Sequence, residues 1–117
     1  YKETKYLNPI EFAQDFSRDL KDKEACDLVI CLSHLGYNYK NSDKISDLKL
    51  AAATKDIDLI IGGHTHTFLP KPTLVKNASD ENVLVNQVGA YGVNLGRIDF
   101  YFDKQDNKEI SNKTIIV

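Results

Sequence analysis

Asp58-Leu59-Ile60-Ile61-Gly62-Gly63-His64-Thr65-His66 is a short apolar run that closes in two glycines and then carries two of the three histidines one residue apart. A second run of the same kind, Asp27-Leu28-Val29-Ile30-Cys31-Leu32-Ser33, ends at the third histidine, His34. Every histidine therefore sits just past a hydrophobic strand signal, where open α/β sheets place their ligands. Neutral imidazole is the commonest side-chain ligand for transition metals, so the pattern reads first as metal chemistry. Gly62 and Gly63 remove side chains that would block the approach of backbone or ion. In extended backbone, residues two apart project to the same side, so His64 and His66 are predicted to converge from one loop. Adjacent parallel strands lie about 5 Å apart, which puts His34 within metal-bridging distance of the Gly-Gly-His turn. Read singly, His34 is a hydrogen-bonded strand-end residue and His64-Thr65-His66 a polar turn. Read together, the three form one expected ligand set.

Outward from these runs, helix signals alternate with strand signals. Asn8-Pro9-Ile10-Glu11 marks a helix start, with Asn8 as N-cap, Pro9 at the first helical position and Glu11 placed for a capping box. Phe12, Phe16 and Leu20 follow at helical spacing with Ala13 beside them, predicting one dry face on a helix that runs to about Glu24. The strand Asp27–Ser33 is apolar throughout and is expected to be buried on both faces. From His34 to Lys44 the composition is that of a loop. Helical spacing resumes at Ile45, Leu48, Ala51 and Ala52, and the second strand covers Asp58–Ile61. Strand, helix, strand at this spacing is a βαβ unit with parallel strands and a right-handed crossover. Beyond Pro70 and Pro72, strands are expected at Thr73–Val75, Val83–Val88, Leu95–Phe102 and Glu109–Val117, with Asp103 to Asn107 as a hairpin loop. The order α, β, α, β followed by a β meander is half of a layered α/β protein, because two parallel strands cannot alone cover their own faces.

The 117 residues amount to one domain at most. Lysine plus arginine is 15 against 17 acidic residues, a net charge of −2 with no basic block, which gives nucleic-acid binding no electrostatic support. No run is long enough to span a bilayer, and no basic-then-hydrophobic leader opens the sequence. Cys26 and Cys31, five apart with Cys31 inside a strand run, are not placed for a local disulfide, and without a CxxC pair they do not suggest a cysteine zinc site. Three histidines suggest a His-only zinc site with water in the fourth place. Such a site needs acidic residues behind its ligands, and Asp43, Asp47, Asp56 and Asp58 mostly read more simply as residues at the starts of helices and strands. Neither a Ser-His-Asp order nor a phosphate-binding glycine loop is visible, and Ser33 reads as a strand-end residue.

At Ser33 to Gly36 and Gly62 to His66 the sequence resembles the calcineurin-like metallophosphoesterases, in particular the bacterial 5'-nucleotidase and 2',3'-cyclic-nucleotide phosphodiesterase branch. The segments DLVICLSHLGY, DLKLAAAT, DIDLIIGGHTHT and VNQVGAYGVNLGRIDF are similar to that branch in order and spacing. The resemblance covers essentially the whole chain and implies an α/β fold: the C-terminal half of a layered α/β/β/α sandwich, built as a βαβ unit followed by a β meander. It implies that residues 1–117 are the C-terminal part of a metallophosphatase domain, without its N-terminal motifs and its nucleotide-binding second domain.

What the resemblance implies for chemistry is a two-metal hydrolase, most simply a 5'-nucleotidase releasing phosphate from nucleotides. In the family two divalent ions share a bridging aspartate and a hydroxide. By motif, His34 and His64 would bind one ion and His66 the other. Imidazoles suit manganese, zinc or iron better than magnesium. The family's Asp-x-His, Gly-Asp and Gly-Asn-His-Glu motifs do not occur in these residues, so no catalytic residue is assigned here and the isolated chain is expected to be inactive. Its partners would be the N-terminal half of the catalytic domain and a nucleotide substrate, with a periplasmic or cell-surface location implied by the branch. The alternatives are a 2',3'-cyclic-nucleotide phosphodiesterase, a sulfate-thiohydrolase relative, and a non-catalytic metal-binding or scaffold module of the same fold. Gln87, Gly89, Tyr91 and Gly92 fall near the metal loop by resemblance, where a packing or turn role is the expectation.

Overall fold

The computed structural model describes residues 3–102 and, for the backbone alone, 108–116; the expected loop Asp103 to Asn107 lies outside the described residues. Helix α1 (Pro9–Asp22) begins where the Asn-Pro signal places it, with the Asn8 side chain accepting a hydrogen bond from the Ile10 N–H at 3.0 Å. Glu11 accepts from the Asn8 side-chain amide rather than from the cap backbone. Strand β1 (Ile30–Leu32) leads through helix α2 (Asp47–Ala53) to β2 (Leu59–Ile61), and the two strands pair in parallel as the βαβ reading requires. Ser46 caps α2 through its hydroxyl, which accepts from the Lys49 N–H.

The later strands divide between two sheets. β3 (Thr73–Lys76) and β4 (Asn82–Asn86) form an antiparallel pair, and β4 lies in parallel beside β2, giving the order β1-β2-β4-β3. β5 (Asn94–Phe102) and β6 (Lys108–Ile116) form a separate antiparallel pair. Burial explains the place of β4: Val83, Leu84 and Val85 are all buried, as a strand inside a sheet covered on both faces must be.

Register sorts the sheet's two faces. Cys31, Ile60 and Val85 align in one row, on the face where α2 contributes Leu50 and Ala51 and α1 contributes Ile10 and Ala13. Each fully buried Leu or Ile in this cluster is worth about 1.5–3 kcal/mol of transfer free energy. On the opposite face, Ile30 and Leu32 of β1 are 46% and 80% exposed, and Ile61 is 44% exposed. That corrects the expectation that the first strand is buried on both sides. Among the described residues β1 is the edge strand of its sheet, and its outward side chains stay partly or largely open to solvent. The dry face of α1 also differs from expectation. Phe12 and Phe16 stack on each other with ring centroids 5.8 Å apart yet remain 55% and 59% exposed, beside a groove they share with Ile30 and Leu32. The helix is amphipathic as the spacing predicts, but only Ile10 and Ala13 reach the core.

Both cysteines are free thiols. Burial, followed by the nearby Asp47 carboxylate, pushes the Cys31 thiol up, which keeps it protonated and unreactive. No described helix is long and apolar enough to cross a membrane.

Candidate metal centre

The three histidines leave the sheet at one edge. The β1–β2 ladder continues one residue past β1, where the Ser33 N–H donates to the Ile61 carbonyl at 2.9 Å. The Gly62 N–H donates to the Asn86 carbonyl at 2.8 Å, so the glycine pair starts in register with the end of β4. His34 and His64 are thereby carried to neighbouring strand ends, and their rings meet edge to face with centroids 5.3 Å apart. Both residues are exposed, as is His66.

His66 stands apart from that pair. His64 and His66 both adopt left-handed backbone, with φ of 67° and 50°, so the extended geometry expected to align them does not occur. The ring of His66 lies edge-on to Tyr91 at 5.9 Å instead. Two non-glycine residues of this kind in one five-residue turn cost about 1–3 kcal/mol each and persist only where the surroundings hold them. Among the described residues, no three His, Cys, Asp or Glu side chains gather closely enough to hold an ion by themselves. The observed donor set is thus two adjacent, solvent-facing imidazoles and a third on the same turn. Such imidazoles could form part, though not all, of the ligand set of a borderline transition metal.

The turn is held by Gln87, and the packing or turn role expected of it takes a specific form. Gln87, 2% exposed at the end of β4, donates through Nε2 to the Gly63 carbonyl at 2.7 Å and accepts through Oε1 from the Thr67 N–H and from the Thr65 hydroxyl. It therefore satisfies both arms of the histidine turn with one side chain. Thr65 extends the clamp to the His34 loop, its hydroxyl accepting from the Tyr37 N–H at 3.0 Å. The signal available in sequence is the pair of adjacent amides, Asn86 and Gln87, within the otherwise apolar run Val83–Val88, where buried polar side chains need partners. Tyr91, expected to have a packing or turn role, sits in left-handed backbone with its ring against His66.

Behind the pair lies Asp47, which keeps its expected helix-start position and also reaches the site. Asp47 in the first turn of α2 is completely buried, and its Oδ1 accepts from the Ser33 hydroxyl at 2.5 Å. Burial holds its carboxyl above the usual carboxylate range, while the Ser33 hydrogen bond and the nearby His34 pull it down. Asp56 and Asp58 keep the structural roles expected of them: Asp56 accepts from Gln14, and Asp58 accepts from the Val29 N–H and pairs with Lys21.

No family model matches the chain. Individual relatives do. The chain is 39% identical over 100 residues, 86% of its length, to the trifunctional nucleotide phosphoesterase protein of Bacillus subtilis (strain 168), of which it spans 6%. Among solved structures it superimposes on a 5'-nucleotidase precursor from Thermus thermophilus with a TM-score of 0.79 and 30% identity, over 94% of this chain and 23% of that one. The chain's relatives and structural neighbours are thus 5'-nucleotidases and nucleotide phosphoesterases. It is similar also to the NAD nucleotidase of Haemophilus influenzae, with a TM-score of 0.79, 26% identity, and all of this chain and 25% of that one covered. The chain spans a quarter or less of the length of each of these proteins. These similarities bear out the resemblance and the α/β class, and the proteins named are nucleotide phosphoesterases or nucleotidases.

Proposed function

We propose that residues 1–117 are the C-terminal part of the catalytic domain of a two-metal phosphoester hydrolase acting on nucleotides, with His34 and His64 ligating one divalent ion and His66 the other. The observation that carries this reading is the exposed His34–His64 pair, set edge to face on neighbouring parallel strand ends in a chain 39% identical to a nucleotide phosphoesterase. Bound there, divalent ions supply Lewis acidity toward phosphoryl oxygens and a more acidic water. The chain's own part is to present His64 and His66 to solvent from a turn held by Gln87, and His34 from the neighbouring loop to which Thr65 ties that turn. Manganese, zinc or iron fit these donors best.

Two features support a partner half-domain. The visible ligands are too few for two ions, and the open edge of β1 with Leu32, Phe12 and Phe16 is apolar surface of the kind a further strand and helix would cover. On resemblance alone, we place the whole protein in the periplasm or on the cell surface, and we prefer a 5'-nucleotidase to a 2',3'-cyclic-nucleotide phosphodiesterase.

The 117-residue polypeptide is expected to bind Mn²⁺ or Zn²⁺ weakly and to turn over no chromogenic phosphate ester, whereas the whole protein hydrolyses nucleotides in the presence of either ion. Phosphate release measured on both preparations checks this. Robust hydrolysis by the 117 residues alone would contradict the division of the site. Metal binding without hydrolysis in the whole protein would favour the scaffold alternative.

A further inference from the structure

We propose that Asp47 is the positioning residue for the His34–His64 pair, an assignment that rests on the metal reading above. Its carboxylate is fully buried, yet only one oxygen is hydrogen-bonded: Oδ1 accepts from Ser33 Oγ, while Oδ2 is shielded from solvent with no hydrogen-bond partner among the described residues. A half-satisfied buried carboxylate opposes folding, and an amide or an apolar residue would pack there at lower cost. Its placement accounts for its presence. Ser33 directly precedes His34, and its hydroxyl also accepts from the Leu35 N–H at 3.2 Å, closing the turn around the histidine. Oδ2 occupies the space beside Gly62, two residues before His64, where an added Cβ would lie 2.2 Å from it. One carboxylate thus grips one histidine turn by a hydrogen bond and fills the gap against the other. Its own backbone N–H donates to the Gly36 carbonyl at 2.8 Å, tying α2 to the same loop. The separation of the two rings is set by this wedge as well as by the strand ladder, and ligands held from behind in this way tune metal affinity.

Cobalt(II) titration of the whole protein, followed by its visible absorption bands, tests the assignment without recourse to activity. Asp47→Ala is expected to weaken Co²⁺ binding about 10- to 100-fold and to change the bands, the range seen when partners behind metal ligands are removed. Asp47→Asn keeps the size and the acceptor and is expected to restore both. Ser33→Ala, which leaves the carboxylate but removes its hydrogen bond, should give an intermediate loss. Wild-type affinity and bands in folded Asp47→Ala would overturn the proposal, as would failure of Asn to restore them. Should Asp47→Ala fail to fold, unchanged bands in Ser33→Ala would overturn it equally. His64→Ala is the reference: if it leaves the Co²⁺ signal intact, the metal reading has failed at its root, whereas loss there with no change in the Asp47 variants refutes the positioning role alone.

Discussion

Replacing His64 with alanine in the whole protein is expected to lower nucleotide hydrolysis at least about a thousandfold while leaving the thermal unfolding temperature nearly unchanged. Metal polarisation of a phosphoryl group and its water is worth several kcal/mol, and each 1.36 kcal/mol is about a factor of ten in rate. The residue is exposed and contributes little buried area, so the fold does not depend on it. The same loss is expected for His34→Ala. If the two rings serve one ion, as their 5.3 Å separation suggests, the double variant should be scarcely worse than either single one, because the second substitution removes a ligand from a site already broken. Steady-state phosphate release on the three variants decides the point. Multiplicative losses would mean that the two histidines act separately, and unchanged activity would remove them from the site.

Gly62→Ala is expected to lower stability more than any other single methyl insertion in the histidine turn, by about 1–3 kcal/mol for overpacking. The backbone there lies outside the left-handed region, so the penalty is steric. The new Cβ would stand 2.2 Å from Asp47 Oδ2, 3.2 Å from its Cγ and 3.1 Å from Gln87 Nε2, the two buried side chains that hold the site. At roughly 4 °C per kcal/mol for a domain of this size, the unfolding midpoint should fall by about 4–12 °C. At Gly63 the tightest contact of an added Cβ is the His34 ring at 3.2 Å, which can swing, and the Ser33 carbonyl at 3.5 Å is an ordinary contact, so the effect of Gly63→Ala should appear in metal binding before it appears in stability. Adding Asp47→Ala to Gly62→Ala vacates the contested space and should recover part of the lost midpoint. Thermal melts of the single and double variants measure that coupling, and strict additivity would contradict the steric account.

Local signals in the sequence reached far into this fold. Asn8-Pro9 marks the start of α1, the apolar runs after Asp27 and Asp58 become paired parallel strands, and the Ser33–Gly36 and Gly62–His66 segments point to the family. Pairing between distant strands was harder to read. Nothing local to Asn82–Asn86 says that β4 will lie beside β2 rather than only beside β3. Periodicity identified Phe12, Phe16 and Leu32 as apolar but could not say whether their cover lies within the same residues. Their exposure reports that the described residues do not supply it.

At the site, the histidines were legible because residue type and strand-end position coincide. The machinery behind them was not. Asp47 looks like an ordinary acid in the first turn of a helix, and its contact with Gly62 exists only once α2 has packed against the sheet. Gln87 carries an expected packing or turn role by resemblance, but its particular partners, Gly63 and Thr67, meet it only when the turn folds over it. The left-handed backbone at His64 and His66 carries no composition signal, since both positions lack the glycine that would announce it.

Anomalous X-ray diffraction at the metal edge, on crystals of the whole protein loaded with zinc or manganese, tests the central claim most directly. The account predicts one ion in direct contact with ring nitrogens of both His34 and His64, at about 2.0–2.1 Å for zinc, and a second ion ligated by His66. Ions bound without either His34 or His64, or a separate ion on each of those two rings, would contradict it.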